Sequence, residues 1–144
     1  MDTKERILVS ACLLGVPCRY DGKSVPCEGV ICLKERAQLV PVCPEQLGGL
    51  ATPRTPAERR GEAVVTRDGR DVTAQYRRGA QEALRLARLF GCTKAILKSK
   101  SPSCGCGLIY DGSFSGKLVP GEGVTAQLLR ENGVEVRTEM DADR

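Results

Sequence analysis

The chain contains no histidine and no tryptophan, and its 144 residues include only three tyrosines and two phenylalanines. The missing imidazole excludes several kinds of chemistry: Ser-His-Asp and Cys-His catalysis, histidine-ligated zinc and the facial-triad iron site. Proton transfer must fall to carboxylates, lysines, tyrosines or thiols. The shortage of aromatics means that the core is aliphatic and alanine-rich. A chain of this length suffices for one domain, expected here over residues 1–144. No apolar run approaches the roughly 18 residues that span a bilayer, and no charged-then-apolar leader opens the chain. The expectation is a cytoplasmic protein with no membrane partner. No cysteine pair has C-x-x-C spacing, so neither a dithiol redox motif nor a zinc ribbon can be written. No G-x-x-x-x-G-K-[ST] loop is present for nucleotide activation, which argues against sulfur insertion into RNA. Strong charge of one sign is missing too. A net charge of +4 without a clustered basic stripe does not indicate a nucleic-acid groove. Arg77, Arg78, Arg85 and Arg88 fall on the solvated face of an amphipathic helix.

What is abundant is cysteine, with eight residues at positions 12, 18, 27, 32, 43, 92, 104 and 106. In a reducing cytoplasm these are not structural disulfides. The most distinctive stretch runs from Ser99 to Gly116. It follows the strand-like Ala95-Ile96-Leu97 and packs Ser101, Pro102, Ser103, Cys104, Gly105, Cys106 and Gly107 into seven positions. Proline and glycine there predict a tight loop that presents a thiol, hydroxyls and backbone amides at the carboxyl end of a strand. In open α/β sheets that edge is where ligands sit.

Taken in order, Arg6–Ala11 and Leu39–Cys43 are predicted as buried strands, Pro41 placing the second at an edge or bulge. A short helix is expected between about Cys27 and Ala37. Residues 44–56 form a long irregular segment, and such segments in compact domains are usually functional. Ala63–Thr66 and Arg70–Val72, joined by Asp68-Gly69, suggest a small hairpin. Thr73 is a plausible N-cap for a helix to Phe90, stopped by Gly91. Lys94–Leu97 is a strand, Val124–Glu131 a helix and Val134–Val136 a last strand. Strands alternating with helices predict a single doubly wound, Rossmann-like α/β domain with a mostly parallel sheet.

Cys12, Cys43 and Cys104 share a position, at or just after the end of a predicted strand. In a parallel sheet those ends lie on one edge, so three thiols distant in sequence can converge. Cys18, six residues past Cys12, is an alternative. Cys27, Cys32 and Cys92 read as small buried hydrophobes, and Cys106 has no assigned role. Three thiolates without histidine suit a soft metal, zinc or an iron-sulfur cluster. A structural zinc would take Cys18 as a fourth ligand, whereas a cluster on three thiolates leaves one iron open. Glu45, two residues from Cys43, and Ser101, three from Cys104, would border such a metal as proton acceptor and donor.

Several motifs now align with one family. They are S-A-C-L-L-G at 10–15, C-R-Y-D-G at 18–22, C-P-E-Q-L-G-G-L at 43–50, T-P-R at 52–54 and D-V-T at 71–73. S-P-S-C-G at 101–105, Y-D-G-S-F-S-G at 110–116 and G-V-T-A at 123–126 complete the set. Across nearly its whole length the chain resembles the thiouracil desulfurase (TudS-like) family. The resemblance implies a [4Fe-4S] cluster held by three cysteines and removal of sulfur from a thiolated uracil base, nucleoside or nucleotide without net redox change. It implies Glu45 and Ser101 as the catalytic pair. The strand-end argument selects Cys12, Cys43 and Cys104 as ligands, and the resemblance leaves Cys18 a possible member. Substrate contacts are expected from Ser103, the loop amides at Gly105 and Gly107, and the helix start near Gly123 and Thr125.

Overall fold

A computed structural model of the protein describes residues 4–141. In chain order the elements are β1 (Glu5–Ser10), α1 (Glu28–Ile31), β2 (Ala37–Val42), α2 (Pro44–Leu47), β3 (Ala57–Arg60) and β4 (Ala63–Thr66). There follow α3 (Thr73–Phe90), β5 (Lys94–Leu97), β6 (Cys106–Tyr110), β7 (Leu118–Glu122), α4 (Val124–Glu131) and β8 (Glu135–Thr138). Short 3-10 turns cover Ala11–Leu14, Cys32–Glu35 and Glu139–Asp141.

The four parallel strands lie in the order β2-β1-β5-β8. The central strands β1 and β5 carry runs that are apolar on both faces because both faces are covered. On one side Leu8, Ala95 and Leu97 meet Ala83, Leu84 and Ala87 of α3 and Ala126 and Leu129 of α4. On the other, Ile7, Val9 and Ile96 meet Leu13, Val30 and Leu33. Each fully buried leucine in these layers, such as Leu8 or Leu129, contributes about 2 kcal/mol. The chain leaves β1 toward β2 on one side and later places β5 on the other. Strand order therefore reverses around β1, which opens a crevice at the carboxyl ends of these strands. Pro41 pairs with Val9 on edge strand β2, the position where a strand tolerates a missing N–H. The expected doubly wound α/β architecture is present, with helices on both faces of the sheet. Among the described residues no helix is long and apolar enough to cross a membrane.

Departures from expectation trace to contacts distant in sequence. Residues 44–47 are not irregular but form the helical turn α2, with Pro44 at its first position, where a proline has no N–H to waste. The expected hairpin across Asp68-Gly69 survives only as a turn and the single bridge Val65–Asp71, while β4 pairs instead with β3 upstream. Strand β3 carries the charged run A-E-R-R, which has no strand signal. Its side chains define it: Arg59 donates to the Glu122 carbonyl at 2.7 Å, and Arg60 donates to that of Gly112 at 2.7 Å. The middle of the Ser99–Gly116 stretch is not loop but strand β6, antiparallel to β7. A glycine in β6 and a Pro-Gly pair in β7 interrupt any apolar alternation that would mark them.

Thr73 is not the N-cap but the first residue of α3. Its N–H donates to Asp71 Oδ1 at 2.9 Å, and its hydroxyl oxygen accepts from the Val64 N–H at 2.9 Å. Among the cysteines set aside as packing residues, Cys92 is buried in the α3 core and Cys27 lies at the edge of the other. Cys32 is exposed, because its 3-10 turn directs Leu33 inward instead.

Candidate active site

At the carboxyl edge of the sheet lies a cavity of about 400 Å³, whose wall includes Cys12, Cys18, Cys43, Glu45, Ser101 and Cys104. Cys12 sits in the 3-10 turn that ends β1, and its carbonyl is held by the Gly15 and Val25 N–H groups. Cys43 is the extended residue (φ −123°, ψ 96°) between β2 and α2. Cys104 closes the Ser101 turn beyond β5. Parallel β2, β1 and β5 thus deliver thiols from three separate segments to one wall.

All eight cysteines are free. Hydrogen bonding with Cys12 raises the Cys18 thiol, and hydrogen bonding with Cys18, followed by burial, pushes Cys43 far above the ordinary thiol range. Burial pushes Cys104 up to about 12; the nearby Glu45 and Cys43 charges add to this, while hydrogen bonding with Ser10 and Ser103 opposes it. Without metal these thiols keep their protons, so any metal that binds them must displace protons. The Cys43 thiol also donates to the Cys18 carbonyl at 3.7 Å. Among the described residues no group of three or more His, Cys, Asp or Glu side chains is drawn together to hold a metal ion.

Glu45 projects from the first turn of α2. Its Oε2 accepts the Tyr76 hydroxyl at 2.7 Å and faces Arg54 at 3.4 Å from Nε and 3.3 Å from Nη2. Among the described residues Oε1 has no hydrogen-bond partner. Tyr76 is 2% exposed, and the Arg54 and Glu45 side chains are 8% and 15% exposed. Burial, followed by the neighbouring Glu45 charge, drives the Tyr76 hydroxyl well above its ordinary value, so the phenol keeps its proton and donates it to the carboxylate. Arg54 is itself tied down: Nη1 donates to Thr52 Oγ1 at 2.9 Å and to the Ala51 carbonyl at 3.3 Å, and Nη2 to the Cys18 carbonyl at 3.1 Å. Helix α2 rests directly on α3. A Cβ added at Gly79 would lie 1.9 Å from the Pro44 carbonyl oxygen, and one at Gly48 would lie 2.0 Å from that of Gln75. Only paired glycines permit this approach.

Ser101 is held by backbone. Its Oγ accepts the N–H groups of Ser103 and Cys104, both at 3.1 Å, while its carbonyl accepts Gly105 N–H at 2.8 Å. A hydroxyl has two lone pairs and one proton. With both lone pairs engaged, the O–H remains as a donor beside the cavity. The turn is capped by α4: Val124 N–H donates to the Pro102 carbonyl at 2.9 Å, and Thr125 N–H to that of Ser103 at 2.8 Å. Gly123 N–H donates to the Gly105 carbonyl at 2.7 Å.

This arrangement separates the residues expected around Ser101. Ser103 and Thr125 are 1% and 0% exposed and share a hydroxyl hydrogen bond of 2.8 Å. Gly105 packs against the Ser101 backbone and Ile109, and Gly107 lies in β6. None of the four is on the cavity wall. The α4 N–H groups expected to meet a carbonyl or phosphate are occupied by the loop's own carbonyls. Two wall residues carried no role in the sequence reading, Arg54 and Tyr76. Arg54 stood in T-P-R, and Tyr76 lay on the apolar face of a helix, where a buried phenol that needs a hydrogen-bond partner was the available signal.

Comparisons with known proteins identify the family of the chain. The family model described as 2-thiouracil desulfurase matches residues 7–141. YbbK of Bacillus subtilis (strain 168), a protein that is itself uncharacterized, is 45% identical over 145 residues, covering 94% of this chain and 96% of that protein. A solved structure of a [4Fe-4S]-dependent thiouracil desulfidase, TudS, superposes with a TM-score of 0.90 at 51% identity, covering 95% of this chain and 92% of that one. With a family match across nearly all the described residues and a full-length likeness in both sequence and fold, the chain belongs to the 2-thiouracil desulfurase family.

Proposed function

We propose that residues 1–144 form one desulfurase domain that hydrolyses the C–S bond of thiolated uracil compounds, giving the oxygen analogue and hydrosulfide. The observation that carries this reading is the convergence of three strand-end thiols, a buried carboxylate and a polarised hydroxyl on one cavity. The donor set is all sulfur, soft and histidine-free, which fits an iron-sulfur cluster. The likeness to a [4Fe-4S]-dependent enzyme supports the same cofactor. Cys12, Cys43 and Cys104 are assigned as its ligands. Bound by three thiolates, such a cluster would supply an open, thiophilic iron as Lewis acid toward the thiocarbonyl sulfur.

The chain's own residues account for the remaining chemistry. Glu45 Oε1 takes a proton from water as the water oxygen adds to the carbon that bears sulfur. The Ser101 O–H donates to the group on which charge develops. Water gives its oxygen to the carbon, one proton to Glu45 and the other to sulfur; the C–S bond breaks with its electron pair on sulfur, hydrosulfide leaves and Glu45 releases its proton to solvent, so no electron is gained or lost overall. On the cavity wall Arg19 and Lys98 pair with Asp21 and Glu139, whereas Arg67 and Lys100 make no ion pair among the described residues; these two favour a substrate with an anionic substituent, and a 5′-monophosphate is expected to be used more efficiently than the free base. Eight free thiols suit a reducing compartment such as the cytoplasm.

The test is anaerobic cluster reconstitution followed by sulfide release over a panel of thiolated uracils and their monophosphates. The protein is expected to bind iron and to release one sulfide per uracil product. Alanine at Cys12, Cys43 or Cys104 should abolish iron binding, whereas Cys18→Ala should retain it. Glu45→Ala and Ser101→Ala should keep iron yet lose about 10²-fold or more in turnover. Near-normal turnover in Glu45→Ala would show the assigned base to be wrong.

A further inference from the structure

We infer that Tyr76 and Arg54 act together as a positioning clamp that fixes the orientation of the Glu45 carboxylate. The inference rests on the reading of Glu45 as the base. Both clamp groups approach the same oxygen, Oε2: the phenol at 2.7 Å, the guanidinium at 3.4 and 3.3 Å. Two donors on one oxygen fix the carboxylate plane and leave Oε1 as the oxygen available to water.

The clamp draws on three segments distant in sequence. Tyr76 belongs to α3 and packs with Val64 and Val72. Among the described residues its buried phenol has no other hydrogen-bond partner, so there the hydroxyl serves the carboxylate. Arg54 follows α2 and reaches back across the site to the Cys18 carbonyl, the same oxygen that the Cys43 thiol meets. The orientation of the base and the placement of the thiol wall are thereby joined through one guanidinium. Lysine, a point charge without the planar fork, cannot reproduce contacts to Glu45, Thr52, Ala51 and Cys18 at once.

A base displaced by even about 1 Å loses up to roughly 10²-fold in rate, so clamp variants should lower kcat and spare KM. Tyr76→Phe keeps the ring packing and removes only the hydroxyl. It is expected to lower kcat about tenfold or more, with KM and iron content unchanged. Arg54→Lys should lower kcat by more than Tyr76→Phe and should not rescue it. The decisive measurement is a double-mutant cycle read by single-turnover sulfide release. In a Glu45→Gln background, Tyr76→Phe should cost nothing further, because the hydroxyl acts only through the carboxylate. Full additivity in the cycle, or a Tyr76→Phe defect confined to iron content or KM, would overturn the clamp while leaving Glu45 as base. Near-normal turnover in Glu45→Gln alone would overturn both readings.

Discussion

The two segments that bear the candidate catalytic groups are built by different means. The Glu45 turn leans sideways on the middle of α3. Backbone meets backbone there at Gly48 and Gly79, and the functional carboxylate is aimed by side chains, Tyr76 and Arg54. The Ser101 loop sits on the end of α4, where three of its carbonyls take N–H groups at the start of the helix. Its functional hydroxyl is aimed by two backbone amides. A hydroxyl that must donate benefits from amides filling its lone pairs, since amides cannot compete for its proton. A carboxylate that must accept benefits from donors confined to one oxygen. Each means of support leaves free the atom that its chemistry needs.

The sharpest way to break this contrast is Gly79→Ala. The new Cβ meets the Pro44 carbonyl oxygen at 1.9 Å, both helices are backbone-rigid at that point, and a loss of about 3 kcal/mol is expected. Urea denaturation measures that loss, and amide exchange should show α2 loosened while the Cys104 amide stays protected. Gly123→Ala is the converse. A Cβ there lies 2.3 Å from the Ser103 carbonyl oxygen and 2.7 Å from the Cys104 nitrogen. The expected loss is about 2 kcal/mol, with exchange protection lost at Cys104 and retained in α2. Equal loosening of both segments in either variant would mean that they are one unit. Ser101→Ala comes next: it leaves the Ser103 and Cys104 N–H groups without their acceptor, for roughly 1–2 kcal/mol by denaturation.

The smallest expected effect lies in the core shared by both segments. Burial raises the Cys92 thiol above its ordinary 9.0. Between those two values the unfolded chain has released a proton that the folded chain retains. The contribution of Cys92 to stability is therefore full below about pH 9 and is lost as pH rises through the folded value. Cys92→Ala should reduce the slope of metal-free stability against pH above 9. An unchanged slope would assign the alkaline loss to the thiols of the cavity wall.

Legibility in the sequence followed the range of the interactions involved. Helix α3 was expected from an N-cap at Thr73 to about Phe90 and is found over Thr73–Phe90, one residue earlier at its start, because its apolar spacing and terminal glycine are local signals. Helix α4 was equally legible. Strand β3 was not, since A-E-R-R becomes a strand only through bonds from its arginines to residues more than fifty positions away. At the site, the strand-end position of Cys12, Cys43 and Cys104 was enough to expect one wall. The expected substrate contacts at Ser103, Gly105, Gly107 and Thr125 do not reach the cavity. A helix start and a glycine loop were visible, but not that each satisfies the other.

By itself, the sequence determined the α/β class, the absence of imidazole chemistry, the two catalytic candidates and the family motifs. These are properties of composition, spacing and residues near one another in the chain. Only the tertiary structure decided that the Cys43 thiol and Arg54 meet on the Cys18 carbonyl, that Tyr76 and Arg54 hold one oxygen of Glu45, and that the α4 N-terminus is spent on the Ser101 loop. The reason is geometric. Parallel strands joined by crossovers bring together residues that no local period relates, and the direction of a donor toward one carboxylate oxygen is set by packing across those crossovers.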